Sequence, residues 1–488
     1  MNPTSPSLWS AVARRLPAVD GPLARTPAEL PSAESRTVDS ALRALTTSAN
    51  HGRLWLGIGI VGALVPGRTR RAALRGISSL AIASFTSNAI LKPIIGRRRP
   101  EIERTAMGRR IERRPWTSSF PSGHSASAAA FATGAALELP LSALGLGPLA
   151  AAVAYSRVHV GVHHRSDVVA GAAVGVAAAL LGKRLWPVKP TSPALMAAGD
   201  APALPQGEGL TVVVNARSGS SDGAADALRA ALPAVRIVEW DPDTDLADAL
   251  PAEGEGSLRA LGVAGGDGTV ASVAAIAHDR GIPLAVFPAG TFNNFAKSIG
   301  ALTVEQMASA VEEGRAGMVD LGFLNGAAFL NTASVGTYPE MVDRRDRYSQ
   351  RMGKWPATAL AVFRTLRHTA PWQVTINDRK FKVWIVFVGN GRYTPRGLTP
   401  SWRDQLAGGV LDVQFLRADR PLSRTRAVLM SFIGLPRFSG VYEAVEAGRV
   451  RIQLPEGPRP VAHDGETTAP VDRLDIQISD TRLTVYRG

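Results

Sequence analysis

Two groups of residues in this chain have the types and spacing that handle phosphate. In the first, Lys92 is followed after six intervening residues by Arg99-Pro100, Pro121-Ser122-Gly123-His124 follows, and Ser156-Arg157, His163 and Asp167 close the set. A phosphate monoester carries about two negative charges near neutral pH. Lys92, Arg99 and Arg157 can neutralise that charge and hold the oxygens in fixed geometry. Ser122-Gly123 at a helix start would turn backbone N–H groups toward an anion. Two histidines suit a two-step transfer, one attacking phosphorus and the other protonating the leaving oxygen. An aspartate four residues after a histidine can hold its far ring nitrogen and set the tautomer. No metal ion is required.

The second group lies in the C-terminal half. Gly265-Gly266-Asp267-Gly268-Thr269 follows an apolar run, Ala260–Ala264, and precedes a helical pattern. Glycines there let backbone N–H groups approach phosphates, and a helix N-terminus adds positive potential. Asp267 can help position nucleotide phosphates directly or through magnesium. Asn215, Ser218 and Gly219 follow an earlier apolar run, and Gly290, Thr291 and Asn294 follow a later one. Ligands of parallel sheets collect at strand C-terminal ends, so the three loops are expected to converge.

The elements that must hold these groups differ between the halves. Leu54–Val65, Ala72–Leu91, Ser122–Leu139, Leu141–Val158 and Val168–Leu181 are apolar stretches read as five membrane helices, the first of them short. Lys92 ends one helix, Ser122-Gly123-His124 begins the next, Arg157 ends the following one, and Asp167 begins the last. Alternating helix directions then place all four at one membrane face. A 36–50 segment has an amphipathic pattern within an N-terminal tail of residues 1–50, and the membrane bundle spans 51–185. A proline-rich linker covers 186–208. Strands alternating with helices over 209–325 imply a doubly wound α/β lobe. Strand-rich runs over 326–488 imply a mainly antiparallel β lobe. The expected fold is thus an all-α membrane helical bundle followed by these two lobes.

Charge follows the same division. Residues 1–190 carry 24 Lys/Arg against 9 Asp/Glu, and the remainder carries 31 against 32. A basic half beside apolar helices fits anionic lipid headgroups. Nucleic acid is not expected as a partner, because no zinc-finger spacing or aromatic RNA-binding motif accompanies the charge. The chain has no cysteine, which excludes disulfides and cysteine-based metal sites. No signal peptide is read at the start.

The first group, over roughly residues 50–185, resembles the type 2 phosphatidic acid phosphatase family. The resemblance implies that His163 is the nucleophile, Asp167 its orienter and His124 the general acid. Lys92, Arg99, Ser122, Gly123 and Arg157 are then the phosphate binders, and no cofactor is involved. Integral members of that family usually have six helices, against the five read here.

The second group, over about 209–485, resembles the diacylglycerol kinase catalytic family. The likeness extends to Leu330-Asn331-Thr332-Ala333-Ser334-Val335-Gly336, Gly389-Asn390-Gly391 and Asp464-Gly465-Glu466. It implies a kinase using ATP and Mg2+, with Asp464 the general base on a lipid hydroxyl and Glu466 touching the nucleotide. The nucleotide-binding set is Asn215, Ser218, Gly219, Gly265, Gly266, Asp267, Gly268, Thr269, Gly290, Thr291, Asn294 and Glu466. Two motifs depart from the family. Gly290 to Ala296 reads Gly-Thr-Phe-Asn-Asn-Phe-Ala where Gly-Thr-Gly-Asn-Asp-Phe-Ala is usual, and Ala407-Gly408-Gly409 stands for Asp-Asp-Gly. Both changes remove acidic groups that in relatives support a magnesium network.

The expected function is therefore a bifunctional lipid enzyme. It would remove phosphate from a lipid through a phosphohistidine and transfer phosphate from ATP to a lipid hydroxyl such as that of diacylglycerol. Expected partners are the membrane, lipid phosphates and lipid alcohols. Lys183-Arg184 and Arg68–Arg71 place the kinase half in the cytoplasm and the phosphatase site outward. Two other readings stay open: a polyprenyl (di)phosphate phosphatase joined to a kinase half with another lipid, and a kinase-like half that only senses nucleotide or lipid.

Overall fold

The computed structural model describes residues 33–101, 109–111, 116–215, 221–251, 258–290, 293–336, 338, 341, 344–345, 347–349, 354–397, 401–432 and 435–488. The chain divides into two compact units, 1–188 and 189–488.

The first unit is helical: α1 Ala33–Ser48, α2 Arg53–Leu64, α3 Arg68–Phe85, α4 Gly123–Glu138, α5 Ala143–His159 and α6 Arg165–Leu185. A π-turn, Thr86–Leu91, carries α3 on to a last helical turn at Lys92–Ile95. Helices α3, α5 and α6 all pack on α4. The sequence of α4 explains its central place, since eleven of its sixteen residues are Ala, Ser or Gly, with Phe131 its largest apolar side chain. Phe131 meets Trp55 of α2 with ring centroids 5.4 Å apart. Small residues let backbones approach closely. A Cβ on Gly171 or Gly175 of α6 would lie 2.4 Å from the Ser122 carbonyl oxygen and 2.3 Å from that of Ala126, respectively. At the end of α4 away from His124, buried Glu138 pairs with Arg75 at 2.8 Å, which accounts for a charge inside an otherwise apolar segment. Pro140–His159 and Arg165–Leu185 are long and apolar enough to cross a membrane. Residues 33–50, grouped with the tail by composition, pack into this unit through α1 against α5.

The second unit holds two sheets. Strands β1 Leu210–Asn215, β2 Arg236–Trp240, β3 Ala260–Gly265 and β4 Leu284–Pro288 are parallel neighbours in the order β2-β1-β3-β4. Helix α7, Ser221–Ala231, follows β1 and α8, Asp267–Asp279, follows β3. A short α9, Asn294–Ser298, follows β4, and α10 is Val304–Glu313. Strands β1 and β3 are apolar and buried nearly throughout, as parallel strands covered on both faces must be.

The second sheet is antiparallel and has eleven strands. They include β6 Gly322–Leu324, β7 Ala327–Phe329, β8 Thr332–Val335, β9 Trp372–Ile376, β10 Arg379–Asn390, β13 Leu411–Arg417 and β14 Tyr442–Ala447, with β15 Arg449–Gln453, β16 Arg459–His463, β17 Glu466–Val471 and β18 Arg473–Ile478. Two short strands, β11 Tyr393–Thr394 and β12 Trp402–Arg403, pair with each other. Helices α11, Lys354–His368, and α12, Ser423–Phe432, cover one face and share a core with Trp384, Ile385 and Phe387 of β10. The chain crosses back at its end. Strand β19, Leu483–Tyr486, lies in the first sheet between β4 and β5 Ala316–Val319, so the lobe begun at residue 209 is completed only by the C-terminal strand.

Candidate functional site

In the helical unit the π-turn, the helix ends and the 97–101 segment bring the phosphate-handling residues together. Ser122 caps α4, its Oγ accepting from Ser125 N–H. Its own N–H donates to the Asp167 carbonyl at 2.9 Å, which ties the starts of α4 and α6. Asp167 is fully buried in the first turn of α6. Its carboxylate accepts from Arg97 and from His164 N–H, each at 2.9 Å, and lies 3.5 Å from His163 Nδ1. On the other side of the His163 ring, Arg99 Nη1 is 3.2 Å from Nε2. A guanidinium only donates, so Nε2 is the acceptor and Nδ1 carries the proton toward Asp167. That tautomer points a lone pair at the place where Arg99 would hold a phosphate. His163 lies in the loop between α5 and α6. Burial holds its pKa down at about 4, with Arg157 and Arg99 adding to the effect against the Asp167 hydrogen bond, so the ring is neutral at ordinary pH.

Two guanidinium groups, Arg99 and Arg157, lie close enough to act on this ring. Arg99 is fixed by carbonyls of Thr117 and Val162 at 2.9 and 2.8 Å. Arg157 is buried to 1% exposure, and its Nε has no hydrogen-bond partner among the described residues. A buried, unsatisfied guanidinium N–H costs stability unless an anion takes it. Lys92 Nζ donates to Asn88 Oδ1 at 2.7 Å and stands 3.5 Å from where a Cβ on Gly123 would be. The glycine therefore keeps the space between lysine and helix N-terminus open.

Three contacts were not legible from the motifs. His124 Nε2 is 2.9 Å from Asn50 Oδ1, Arg157 donates to Thr46 Oγ1 at 2.6 Å, and His159 Nε2 lies 2.7 Å from Asp39. All three partners come from α1 and the turn after it. The only sequence hint was the amphipathic pattern of that segment.

In the second unit Asp267 is the hub. Its Oδ2 accepts from Asn294 N–H and Nδ2 at 3.2 and 3.0 Å, and its Oδ1 from Phe295 N–H at 3.2 Å and Asn331 Nδ2 at 3.3 Å. Asn215 Nδ2 donates to Thr269 Oγ1 at 2.9 Å. The C-terminal end of β1 at Asn215 and the described residues after β3 and β4 thus converge, with Asn331 joining from the second sheet. Gly290 N–H donates to Asn293 Oδ1 at 2.8 Å. Gly266 caps α8, and Gly265 and Gly268 flank that helix start. A Cβ on Gly268 would overlap Glu466, whose carboxylate lies against the loop. Ser218, Gly219 and Thr291 lie outside the described residues.

Asp464 and Gly465 form the two-residue turn between β16 and β17, both with positive φ, and His463 pairs with Glu466. Asp-Gly suits that turn. The Asp464 carboxylate turns inward and accepts from backbone N–H of Leu330, Asn331 and Thr332, the contacts to Leu330 and Thr332 being 2.6 and 2.8 Å. Burial pushes its pKa up to about 6, and Asp267 nearby adds to this against the three N–H groups. Arg403, missed by the sequence reading, is buried and donates to the carbonyls of Leu330 and Asn390 and to Asn331 Oδ1. It stacks over Tyr393 at 5.3 Å and so holds the asparagine that holds Asp267. Among the described residues no three His, Cys, Asp or Glu side chains are grouped to hold a metal, and both oxygens of Asp267 and of Asp464 already accept N–H groups. The described residues do not form a protein cage for magnesium.

Known proteins resemble the two halves separately. Residues 72–189 match the PAP2 superfamily and residues 209–324 the diacylglycerol kinase catalytic domain. A decaprenylphosphoryl-5-phosphoribose phosphatase of Mycobacterium tuberculosis is 33% identical over 135 residues, covering 27% of this chain and 72% of that protein. A "Probable lipid kinase YegS-like" of Pseudomonas aeruginosa is 29% identical over 206 residues, covering 40% of this chain and 67% of that one. An uncharacterized protein of Synechocystis, sll0036, is 37% identical over 97 residues, 20% of this chain, and the match spans only 22% of that relative's length. Through residues 72–189 the chain belongs to the PAP2 superfamily, and that domain is fused to a diacylglycerol kinase catalytic domain at residues 209–324.

Proposed function

We propose that the helical unit removes phosphate from a lipid phosphate through a phosphohistidine on His163, and that the second unit transfers phosphate from ATP to a lipid hydroxyl. The observation that carries the first reading is the His163 ring held between Asp167 and Arg99, with its Nε2 lone pair turned to the guanidinium that would hold the phosphate. Nε2 attacks phosphorus, the bond from phosphorus to the lipid oxygen breaks, and His124 gives that oxygen its proton. Water then attacks the phosphohistidine, returning a proton to His124 and releasing phosphate. Lys92, Arg99, Arg157 and the N–H groups at Ser122-Gly123 hold the phosphate throughout. The matched relative's decaprenyl-linked substrate supports an isoprenoid lipid phosphate as an alternative to phosphatidic acid.

In the kinase half, the N–H groups at Gly266 and Gly268 and the start of α8 would bind the nucleotide phosphates. Asp464 would accept the lipid hydroxyl proton as the oxygen attacks the γ-phosphorus and the bond to the β-γ bridging oxygen breaks. Magnesium, if carried by the triphosphate, would supply neutralisation of phosphate charge.

Helix α6 starts beside His163, has 21 residues and so is about 30 Å long. It ends at Lys183-Arg184. Positive charge at that end supports a cytoplasmic exit of the chain, where ATP is available, and an outward phosphatase site.

The test is phosphate release from phosphatidic acid and from polyprenyl phosphates by detergent-solubilised full chain in excess chelator, beside transfer of labelled phosphate from ATP to diacylglycerol. His163→Ala should abolish the first activity alone and Asp464→Ala the second alone. Release that survives His163→Ala would overturn the nucleophile. ATP binding with no transfer to any lipid alcohol would favour the sensing role for the second unit.

A further inference from the structure

The second unit carries an apolar and basic face that contains none of the residues grouped around Asp267 and Asp464. Helices α11 and α12 cover one side of the antiparallel sheet and share the core beneath them through Ala361, Val362, Leu366 and Ala427. Their outward faces therefore look away from the sheet together. On α12 and the residue before it, Leu422, Leu429 and Phe432 recur at helical spacing and are 74, 57 and 57% exposed. Phe438 follows on the next turn and Phe363 projects from α11, both exposed. Large apolar side chains left exposed on two helices that pack together mark a surface that meets something.

Charge says what it meets. Residues 354–377 and 420–442 contain seven Lys/Arg and no Asp or Glu. The half of the chain beyond residue 190 is otherwise acidic, since its total is 31 Lys/Arg against 32 Asp/Glu. Exposed leucines and phenylalanines on segments rich in arginine and without acidic residues fit an anionic bilayer surface, where apolar side chains enter the acyl boundary and guanidinium groups meet phosphate. Leucine has no ring to stack on bases, so the pattern does not fit single-stranded nucleic acid.

We infer that the α11–α12 face docks the second unit on the anionic leaflet of the membrane that the helical unit anchors it to, which keeps the residues around Asp267 and Asp464 near the surface where lipid hydroxyls are presented. The inference rests on the membrane reading of the first unit and not on kinase turnover.

The chain's lack of cysteine allows a direct test. Single cysteines at Leu429, and at Leu302 as an exposed control (62%), are labelled with an environment-sensitive fluorophore in the full chain. The protein is then placed in nanodiscs containing doxyl-labelled lipid quencher, with either zwitterionic lipid alone or added phosphatidylglycerol. Quenching at 429 should exceed that at 302 and rise with the anionic lipid. Arg367→Glu with Arg420→Glu should weaken docking by about fivefold or more per charge. Equal quenching at 429 and 302 in anionic discs, or protection of 429 by added RNA and not by lipid, would overturn the inference. Docking without kinase activity would sink the proposed transfer reaction and leave the docking face standing.

Discussion

At the scale of residues, His163, the proposed nucleophile, is held as a neutral ring, and its environment sets a measurable limit. With a pKa near 4, the ring has its lone pair above that pH and loses it as pH falls through it. The acid limb of kcat/KM for phosphate release should therefore lie near 4, and a limb near the ordinary histidine value of about 6.5 would mean the ring is solvated. Asp464 makes the opposite shift. Its carboxylate is free to take a proton only above about 6, so lipid phosphorylation should fall as pH drops through 6 while phosphate release persists. A kinase profile flat down to pH 5 would remove Asp464 from the role of base. Asn50 gives a third test. Its Oδ1 holds His124 Nε2, so Asn50→Ala should blunt proton donation. Alkyl phosphates should then be hydrolysed roughly tenfold more slowly, while p-nitrophenyl phosphate, whose leaving group needs little help, should be nearly unaffected. Equal losses on both substrates would mean a structural role. The motif residues were legible because their chemistry is tied to spacing. Asn50, Thr46 and Arg403 were not, because an Asn, a Thr or an Arg becomes informative only when folding buries it against a partner far along the chain.

At the scale of elements, helix α6 shows why close packing matters to the site it begins. Gly171 and Gly175 lie one turn apart against α4 carbonyls, and the same contact sets Asp167 beside Ser122. Gly175→Val would need about 1–3 kcal/mol of rearrangement. It should lower the melting transition of the helical unit and phosphate release together, with ATP-dependent transfer unchanged. Loss of both activities would mean that the two units fold as one. Helix positions were readable from apolar length and small residues, and the Gly-Gly-Asp-Gly turn from the strand before it. Strand β19 was harder to assign. Four residues, Leu-Thr-Val-Tyr, carry no signal of which sheet they join, and pairing with β4 and β5 is decided by tertiary contact.

At the scale of the whole molecule, the charge division, the two cores and the two phosphate-handling sites all fall on the same boundary near residue 188. A lipid phosphatase and a lipid kinase on one chain would run a futile cycle if they met the same lipid pool. The route of α6 offers a way out, because it starts at the proposed phosphatase site and ends at Lys183-Arg184, about 30 Å away along the helix. Cysteines at Arg165, beside the first site, and at Asp226, in the second unit, can be introduced into the cysteine-free chain and probed with a membrane-impermeant maleimide on intact and opened cells. Arg165→Cys should react in intact cells and Asp226→Cys only after opening. If both react from outside, or neither does, the activities share a side of the membrane. Control would then have to come from substrate choice, with the phosphatase acting on a lipid class, such as an isoprenoid phosphate, that the kinase does not make.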